Sequence, residues 1–210
     1  MTFLCTKNKL NVNWEKINGM LPVIVQNYFS GEVLMHGYMN NIALEKTMST
    51  KLVTFFSRTK KRLWVKGESS GNFLKVIDYT LDCDKDTLLV LSNPIGKTCH
   101  LNKKNCFFGS KKNIFSFLYE LEKIIENRKN KKKKESYTYL LFKNGTNRIA
   151  QKLAEEAVET SLASVSNNKE EIINESSDLL YHLLVLLSNQ KLTFFDVLKK
   201  LKNRNNFMKG

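Results

Sequence analysis

Three aspartates, Asp82, Asp84 and Asp86, stand at alternate positions in one short stretch of the chain. If this stretch is an extended strand, their side chains share one face and Cys83 points to the other. Three carboxylates on one face repel one another unless a hard cation such as Mg²⁺ neutralises them. A solvated turn is the alternative, but the apolar run at residues 88–91 favours a buried strand, where ionised carboxylates need partners. We therefore predict a magnesium site here.

Three cysteines in the same half of the chain, Cys83, Cys99 and Cys106, could form a second kind of site. Three thiolates suit Zn²⁺, and a fourth position open to water makes a zinc site catalytic. Each cysteine alone could be an ordinary buried thiol. However, Cys83 lies among aspartates and Cys99 directly precedes His100, and neither neighbourhood suits an apolar core. We predict a zinc site in which His100 is placed to shuttle a proton, and we assign no role to Cys5.

Two pairs of carboxylates recur in the second half of the chain. Glu156 and Glu159 are three residues apart, as are Glu175 and Asp178, so each pair faces one way on a helix. Two antiparallel helices could bring the four together, although a solvent-facing acidic stripe is the alternative. Neighbouring like charges destabilise a helix unless they are neutralised. Mg²⁺ that bridges the carboxylates to a polyphosphate would neutralise them.

The elements that must position these residues differ between the two halves. Short runs rich in β-branched and aromatic residues predict strands at 23–26, 32–35, 52–56, 63–66, 73–81 and 87–91. One helix is expected at residues 41–49, with Asn40 as its N-cap.

After residue 110 the apolar residues repeat at helical spacing. One such series runs from Ile114 to Ile125, and a last helix is expected from Thr193 to about Lys202. The sequence therefore predicts two domains, a β-rich α+β domain at 1–110 and an all-α helical bundle at 111–210.

The balance of charge bounds the choice of partner. Lysine and arginine total 34 against 20 aspartates and glutamates, a net charge of +14 that would suggest nucleic acid. Only five of these basic residues are arginines, whereas nucleic-acid surfaces use arginine for bidentate contacts. We predict small polyphosphate ligands and no nucleic-acid partner. The lysine-rich run at 128–134 is expected to be a solvated loop, with phosphate steering as the alternative.

Hydropathy and cysteine usage indicate the compartment. No segment is apolar for long enough to span a membrane, so we expect no membrane partner. The first residues lack a long apolar core behind a basic head, so a secretory signal is not expected. Cysteines without such a signal favour a reducing compartment, and we predict a cytoplasmic protein.

Residues 23–107 resemble phosphoribosyl-AMP cyclohydrolase of histidine biosynthesis. The matching stretches are GEVLMHGYMN (31–40), TFFSR (54–58), LWVKGESSGN (63–72), LDCDKDTLLVL (81–91) and CHLNKKNCF (99–107). The chain departs from the family at Leu101, Asn102 and Asn105, where the family usually has Thr, Gly and Ser. This leaves the conformation of the loop open but keeps the cysteines in place.

This resemblance implies a zinc ion on Cys83, Cys99 and Cys106, in a site assembled across a homodimer interface. It also implies Mg²⁺ on the three aspartates, and addition of water to C6 of the adenine ring of phosphoribosyl-AMP with cleavage of the N1–C6 bond. The residues expected to form the substrate wall are Ser57, Arg58, Trp64, Lys66, Glu68, Ser69, Ser70 and Gly71, with Arg58 and Lys66 facing phosphate.

Residues from 117 to about 203 resemble phosphoribosyl-ATP pyrophosphohydrolase, one of the all-α nucleoside triphosphate pyrophosphohydrolases. The matching stretches are SYT (136–138), RIAQKLAEEAVE (148–159) and ESSDLLYHLLVLL (175–187). The resemblance implies that Mg²⁺ is held by Glu155, Glu156, Glu159, Glu175 and Asp178 and that Lys152 contacts phosphate. Glu156 is expected to be catalytic. His182 is expected to pack within the bundle rather than to bind metal.

The two resemblances name consecutive steps of one pathway, so the sequence predicts a bifunctional hydrolase with Zn²⁺ and Mg²⁺ as cofactors. Mn²⁺ could replace Mg²⁺ in the oxygen-rich sites. One alternative is a basic nucleic-acid-binding protein whose zinc is closed by four protein ligands. The other is an enzyme in which one half has decayed into a dimerisation scaffold.

Overall fold

The computed structural model describes residues 10–107, 109, 114–131 and 136–207. The chain folds into two compact units that divide between Ser116 and Phe117. A strand-rich region that includes one described helix is followed by a helical region, which confirms the β-rich first half and the helical second half expected from the sequence. The domain boundary at 110/111 stays a prediction. Within the described parts of the chain, no helix combines the length and the apolar character needed to cross a membrane.

The described residues of the first unit before α2 form two sheets and one helix. The strands and helix are β1 (Leu21–Asn27), β2 (Val33–Met39), α1 (Asn41–Thr50), β3 (Thr54–Ser57), β4 (Arg62–Val65), β5 (Leu74–Leu81) and β6 (Leu88–Pro94). Four strands form a sheet in the order β2-β1-β6-β5, in which β1 and β6 are parallel, and β3 and β4 form a separate hairpin. Asn40 caps α1 as expected, because its side chain accepts the Ala43 N–H at 2.9 Å.

The core of the first unit lies on one face of the four-stranded sheet. Alternate residues of β1, including Val23 and Val25, are fully buried, as the period of a half-buried strand requires. The β3–β4 hairpin places Phe55 over β2 at Gly37, where an added Cβ would lie 2.4 Å from the ring. Gly37 therefore permits this close packing.

The connection between β5 and β6 differs from its expected form. We expected the three aspartates to share one face of an extended strand or to stand at the end of a buried one. In the structure β5 ends at Leu81, and residues 82–87 form a turn. The Asp82 N–H donates to the Thr87 carbonyl at 3.0 Å, and Lys85 adopts a left-handed φ of 63°. The chain therefore reverses here, so that β5 and β6 pair as an antiparallel hairpin.

The second unit is helical, with α2 (Ser116–Asn130), α3 (Tyr137–Val165), α4 (Lys169–Asn189) and α5 (Phe194–Phe207). Its core contains Ile125, Leu141, Ile149 and Leu184, together with Val185 and Leu187. The expected apolar series began at Ile114, but α2 begins at Ser116 and Ile114 is exposed in the preceding turn. The Thr193 hydroxyl caps α5 by accepting the Asp196 N–H at 3.3 Å, as expected, and the helix continues beyond the predicted end at Lys202.

A glycine divides α3 into two segments. Gly145 has φ 82° and ψ −179°, a combination that residues with a Cβ rarely adopt. On one side of the break, Thr138 contacts Tyr181, and on the other side Thr146 contacts Asn189. The first segment of α3 therefore runs along α4 towards Asn189. After the break the chain turns back, so that Glu156 again lies beside His182.

Candidate active sites

Three carboxylates of α3 and α4 meet in the second unit. Glu156, Glu175 and Asp178 each offer an oxygen atom, and these atoms all lie within 4.8 Å of one another. The i, i+3 spacing on α4 and the antiparallel packing of α4 against α3 produce this arrangement. Glu156 is only 5% exposed, so its charge needs a partner. Oxygen donors at this spacing fit a hard divalent cation.

The fourth expected carboxylate, Glu159, lies beside Glu175. Burial raises the pKa of Glu175, and the charges of Glu159, Glu156 and Asp178 raise this pKa further. The group is therefore a site of mutual repulsion when its carboxylates are ionised. A bound cation would relieve that repulsion.

Glu155, the fifth expected carboxylate, does not join the other four. Its carboxylate lies 2.9 Å from Lys152 Nζ and 3.6 Å from Arg148 Nη1. Lys152 also reaches Glu156 Oε1 at 2.6 Å, so it stands between Glu155 and the carboxylate group. Hydrogen bonds to Glu155 and Glu156 raise the pKa of Lys152 and keep its ammonium charged. This ammonium borders the carboxylates, where a bound phosphate would need a cation.

A cavity of about 430 Å³ opens beside the carboxylate group. It is lined by Arg128, Tyr137, Thr138, Glu156, Asp178, Tyr181 and His182. His182 is buried within the bundle, and its Nε2 lies 3.7 Å from Glu156 Oε1 and 3.4 Å from the Tyr137 hydroxyl. Burial lowers the pKa of His182, the charge of Glu156 opposes that shift, and the neutral ring is favoured. The cavity thus combines carboxylates, hydroxyls and one guanidinium.

The three aspartates of the first unit also come together. One oxygen from each of Asp82, Asp84 and Asp86 lies within 4.8 Å of the others. The turn, rather than strand periodicity, gathers them: Asp82 Oδ1 accepts the Asp86 N–H at 3.0 Å and the Thr87 N–H at 3.1 Å. Three carboxylates in one small turn fit an oxygen-seeking divalent cation.

A lysine from the segment before β1 contacts the aspartate group. The ammonium of Lys16 contacts the carboxylates of Asp84 and Asp86. These hydrogen bonds raise the pKa of Lys16, and the bond from Lys16 is the largest cause that lowers the pKa of Asp86. Lys16 therefore neutralises part of the charge that a metal ion would otherwise meet.

Two of the three cysteines lie together. Cys106 is hydrogen-bonded to Cys99, and burial, followed by the charge of Cys99, raises the pKa of the Cys106 thiol. His100 Nδ1 lies 4.0 Å from Cys99 Sγ. Two adjacent sulfur donors fit Zn²⁺, which would favour the thiolate form that burial disfavours.

The third cysteine lies elsewhere in the same chain. Cys83 is exposed in the β5–β6 connection, whereas the Cys106 N–H donates to the Leu34 carbonyl of β2 at 2.8 Å. In the sheet, β1 and β6 stand between β2 and β5. Among the described residues, the three sulfurs form no group with all atoms within 4.8 Å of one another. One chain alone therefore does not complete the expected zinc site.

The loop that carries Cys99 and Cys106 closes despite its departures from the family pattern. The Asn102 N–H donates to the Cys99 carbonyl at 3.0 Å, and the Cys99 N–H donates to the Lys103 carbonyl at 3.1 Å. Asn102 has a left-handed φ of 62°. Asparagine tolerates this conformation better than most residues, so it can replace a glycine here.

The expected substrate wall divides into residues with different surroundings. Lys66 is buried beside the cysteines, its Nζ bonds the Asn72 carbonyl at 3.4 Å, and burial lowers its pKa. Arg58 stacks on the Tyr38 ring at 3.9 Å, and Trp64 packs on Phe55 with ring centroids 5.6 Å apart.

The remaining wall residues lie at the end of β3 or in the turn that follows β4. Ser57 Oγ accepts the Lys60 N–H at 3.1 Å and Ser70 Oγ accepts the Asn72 N–H at 3.3 Å, while Ser69 is exposed and Gly71 has φ 72°. Glu68 accepts the Val65 N–H at 3.0 Å and pairs with Arg62 Nη1 at 2.9 Å. These two contacts indicate that Glu68 stabilises the turn.

Two family models match the two units in turn. The model described as phosphoribosyl-AMP cyclohydrolase matches residues 35–108, and that described as phosphoribosyl-ATP pyrophosphohydrolase matches residues 118–205. The "Histidine biosynthesis bifunctional protein HisIE" of Buchnera aphidicola subsp. Acyrthosiphon pisum is 59% identical over 195 residues, 93% of this chain and 90% of the relative. Proteins of the same name are 56% identical in Campylobacter jejuni, over 92% of this chain and 94% of the relative, and 52% identical in Escherichia coli, over 96% and 99%.

The chain belongs to this family of bifunctional histidine biosynthesis proteins. The family assignment made from the sequence is therefore confirmed. The aspartate group, Cys99 and Cys106 lie in the cyclohydrolase domain, and the group of Glu156, Glu175 and Asp178 lies in the pyrophosphohydrolase domain.

Sequence reasoning missed several residues that surround these sites. In the pyrophosphohydrolase domain, Arg128, Tyr137 and Tyr181 line the cavity. The SYT stretch and the YH pair within ESSDLLYHLLVLL carried a signal, since polar aromatic residues beside paired acids suit a ligand pocket. In the cyclohydrolase domain, the contact of Lys16 with the aspartate turn had no signal in residue spacing, because 68 positions separate Lys16 from Asp84.

Proposed function

We propose that this protein performs two consecutive hydrolyses of histidine biosynthesis. The pyrophosphohydrolase domain converts phosphoribosyl-ATP and water into phosphoribosyl-AMP and pyrophosphate. The cyclohydrolase domain then adds water to C6 of the adenine ring and breaks the N1–C6 bond, giving the formimino-carboxamide ribotide. The observation that carries the proposal is the carboxylate group of Glu156, Glu175 and Asp178 beside its cavity, in a domain of matching family.

In the first reaction, water attacks a phosphorus atom, and the anhydride bond between the α and β phosphates breaks, so that pyrophosphate leaves. Glu156, Glu175 and Asp178 would hold Mg²⁺, with Glu159 beside them, and the ion would offset charge that develops on the phosphates. Lys152 supplies a fixed ammonium 2.6 Å from Glu156 Oε1 and binds a phosphate oxygen next to the carboxylates. Glu156 orients the attacking water, because His182 and Lys152 hold its buried carboxylate in place. Glu155 keeps Lys152 in position rather than binding metal.

In the second reaction, an amidine carbon of low reactivity must be attacked by water. Cys99 and Cys106 would hold Zn²⁺ together with Cys83, and the ion would lower the pKa of water to about 7. His100, exposed next to Cys99, accepts the proton that the attacking water gives up. Asp82, Asp84 and Asp86 hold Mg²⁺, which helps to bind the nucleotide. Arg58 faces its phosphate.

A homodimer would complete the zinc site. Cys83 is exposed and separated in its own chain from the adjacent Cys99 and Cys106. Cys83 of a second copy can therefore supply the third sulfur, as expected for this family. Closed twofold assemblies are the commonest oligomers, and they would form two equal sites. The cytoplasm, which keeps thiols reduced, suits such a site.

The change Glu156→Gln tests the proposal at the carboxylate group. The variant keeps the shape of the side chain but loses the charge that binds metal and orients water. We expect pyrophosphate release from phosphoribosyl-ATP to fall by about 100-fold or more. Cyclohydrolase activity on supplied phosphoribosyl-AMP should be unchanged. One coupled assay that starts from phosphoribosyl-ATP follows both steps, and metal analysis of the purified protein measures the bound ions.

The matched control is Glu170→Gln, an exposed glutamate in the first turn of α4 that lies outside the carboxylate group. It should keep both activities. Loss of both activities in Glu156→Gln would argue against two independent sites.

A further inference from the structure

The cavity beside the carboxylate group has walls of opposite charge. Glu156 and Asp178 contribute carboxylates, and Arg128 from the last turn of α2 contributes a guanidinium. The volume of about 430 Å³ lies within the range of small-molecule sites. A ligand that carries several negative charges could reach from a metal on the carboxylates to the guanidinium.

Contacts with the opposite helices orient Arg128. Its Nη1 donates to the Thr138 hydroxyl at 3.5 Å, and that hydroxyl shares a hydrogen bond of 2.8 Å with the Tyr181 hydroxyl. Thr138 is completely buried, so this anchor is fixed by the core of the unit. A guanidinium has five N–H donors. The hydrogen bond to Thr138 uses a donor on Nη1. Within the part of the chain that the structure describes, the other N–H groups have no recorded partner, so they can bind a ligand.

The charges around Arg128 also favour an anionic ligand. Among the described residues, no carboxylate forms an ion pair with Arg128, whereas Arg148 and Lys152 both pair with Glu155. Arginine binds phosphate through parallel N–H donors, which makes it suited to a polyphosphate. The adjacent Lys129 has a different role, because its Nζ donates to the Ser188 carbonyl at 2.9 Å and lies over the Phe142 ring.

We propose that Arg128 binds the polyphosphate of the nucleotide in the pyrophosphohydrolase domain, opposite the metal-binding carboxylates. This inference rests on the proposed function of that domain and adds a substrate-binding residue to it. The basic run at 128–134 was expected to be a solvated loop, but residues 128–130 belong to α2, and residues 132–134 lie outside the described residues. Arg128 belongs to the substrate site, whereas Lys129 links α2 to α4 through its hydrogen bond to the Ser188 carbonyl.

Binding of inorganic pyrophosphate in the presence of Mg²⁺ tests this role without turnover. We expect calorimetry to show about tenfold weaker binding to Arg128→Gln than to the unmodified protein. Arg128→Lys keeps a charge but loses the planar fork, so its affinity should be intermediate. The KM for phosphoribosyl-ATP should rise in the same order, while cyclohydrolase activity is unchanged.

Arg204→Gln is the matched control, since it removes the same charge from an exposed position of α5. It should leave pyrophosphate affinity unchanged. Affinity of Arg128→Gln within about twofold of the unmodified protein would overturn the proposal. The proposal would also be overturned if Arg128→Lys lost as much pyrophosphate affinity as Arg128→Gln and both variants had a lower melting temperature. That pattern would indicate that the arginine has a purely structural role. If the unmodified protein bound pyrophosphate but did not release it from phosphoribosyl-ATP, the proposed function would fail while the role of Arg128 in binding stood.

Discussion

At the scale of single residues, the carboxylate group of the second unit owes its properties to crowding. Glu175 is flanked by Glu159, Glu156 and Asp178, and burial is the largest cause of its raised pKa. A pKa that is higher in the folded protein means that the folded state binds the proton more tightly than the unfolded chain. The stability from this group is therefore present below the unfolded pKa of glutamate and is lost as pH rises through the folded pKa.

Glu175→Gln should consequently stabilise the metal-free protein at neutral pH. The change removes an ionised carboxylate that its neighbours repel, so we expect a higher melting temperature at pH 7 and a smaller difference near pH 4. Added Mg²⁺ should raise the melting temperature of the unmodified protein more than that of the variant, because the variant loses a ligand. Calorimetric melting with and without Mg²⁺ measures both effects.

Glu170→Gln serves again as the control, because its carboxylate interacts favourably with the N-terminus of α4. It should not raise the melting temperature. A melting temperature of Glu175→Gln at or below that of the unmodified protein, with an unchanged response to Mg²⁺, would contradict the account of repulsion.

The two acidic groups show how far residue spacing carries a prediction. The i, i+3 pairs on α3 and α4 predicted a group of four carboxylates, and three of them, Glu156, Glu175 and Asp178, lie together because helix geometry fixes which residues share a face. For Asp82, Asp84 and Asp86 the expected strand was wrong, although the carboxylates do meet. Backbone hydrogen bonds to Asp82 in the turn decide that arrangement, and alternation in sequence does not reveal them.

At the scale of elements, the break in α3 is the feature that builds the cavity. Gly145 lets the chain turn back, so that Tyr137 and Thr138 reach His182 and Tyr181 on α4. A straight helix of the same length would carry these two residues away from the carboxylate group.

Gly145→Ala should therefore affect one activity only. A Cβ at this position meets no atom within 4 Å, but the backbone conformation is strained for alanine. We expect a cost of about 1–3 kcal/mol in the free energy of unfolding. Pyrophosphate release should fall as Tyr137 and Thr138 shift, and cyclohydrolase activity should persist.

Ala154→Gly provides the comparison for stability. It is an exposed interior position of α3, where glycine costs about 1 kcal/mol without changing the break. Both variants should melt at lower temperature, but Ala154→Gly should keep pyrophosphate release. Equal loss of that activity in the two variants would assign the effect to general destabilisation of α3.

Sequence patterns located most elements, including α1 with its Asn40 cap and α5 with its Thr193 cap. They did not reveal the break at Gly145, because the apolar residues that repeat at helical spacing begin only beyond it, at Ile149. A single glycine within a helical pattern is commonly tolerated without a break. The direction of the first segment of α3 depends on contacts with α4 that spacing does not encode.

At the scale of the whole molecule, one chain carries two domains whose reactions follow one another. The product of the pyrophosphohydrolase reaction is the substrate of the cyclohydrolase reaction, and fusion makes the two domains in equal amounts. The proposed sites differ in their side chains, with carboxylates and Lys152 in one domain and sulfur with His100 in the other. Separate chemistry allows each site to be inactivated alone.

The cyclohydrolase site adds a requirement at the level of assembly. Its three sulfurs do not meet within one chain, whereas Cys99 and Cys106 do. In the proposed dimer, Cys83 of one copy would therefore lie with Cys99 and Cys106 of another. A closed twofold dimer would satisfy both sites at once.

The most direct measurement is cyclohydrolase activity after subunits of Cys83→Ser and Cys99→Ser are mixed by co-expression. Each variant alone should be inactive, and about one quarter of the sites in an equal mixture should regain activity, because mixed dimers contain one intact site. Pyrophosphate release should be unaffected throughout. No recovery of cyclohydrolase activity or of bound zinc in demonstrated mixed dimers would contradict a zinc site built from two copies of the chain.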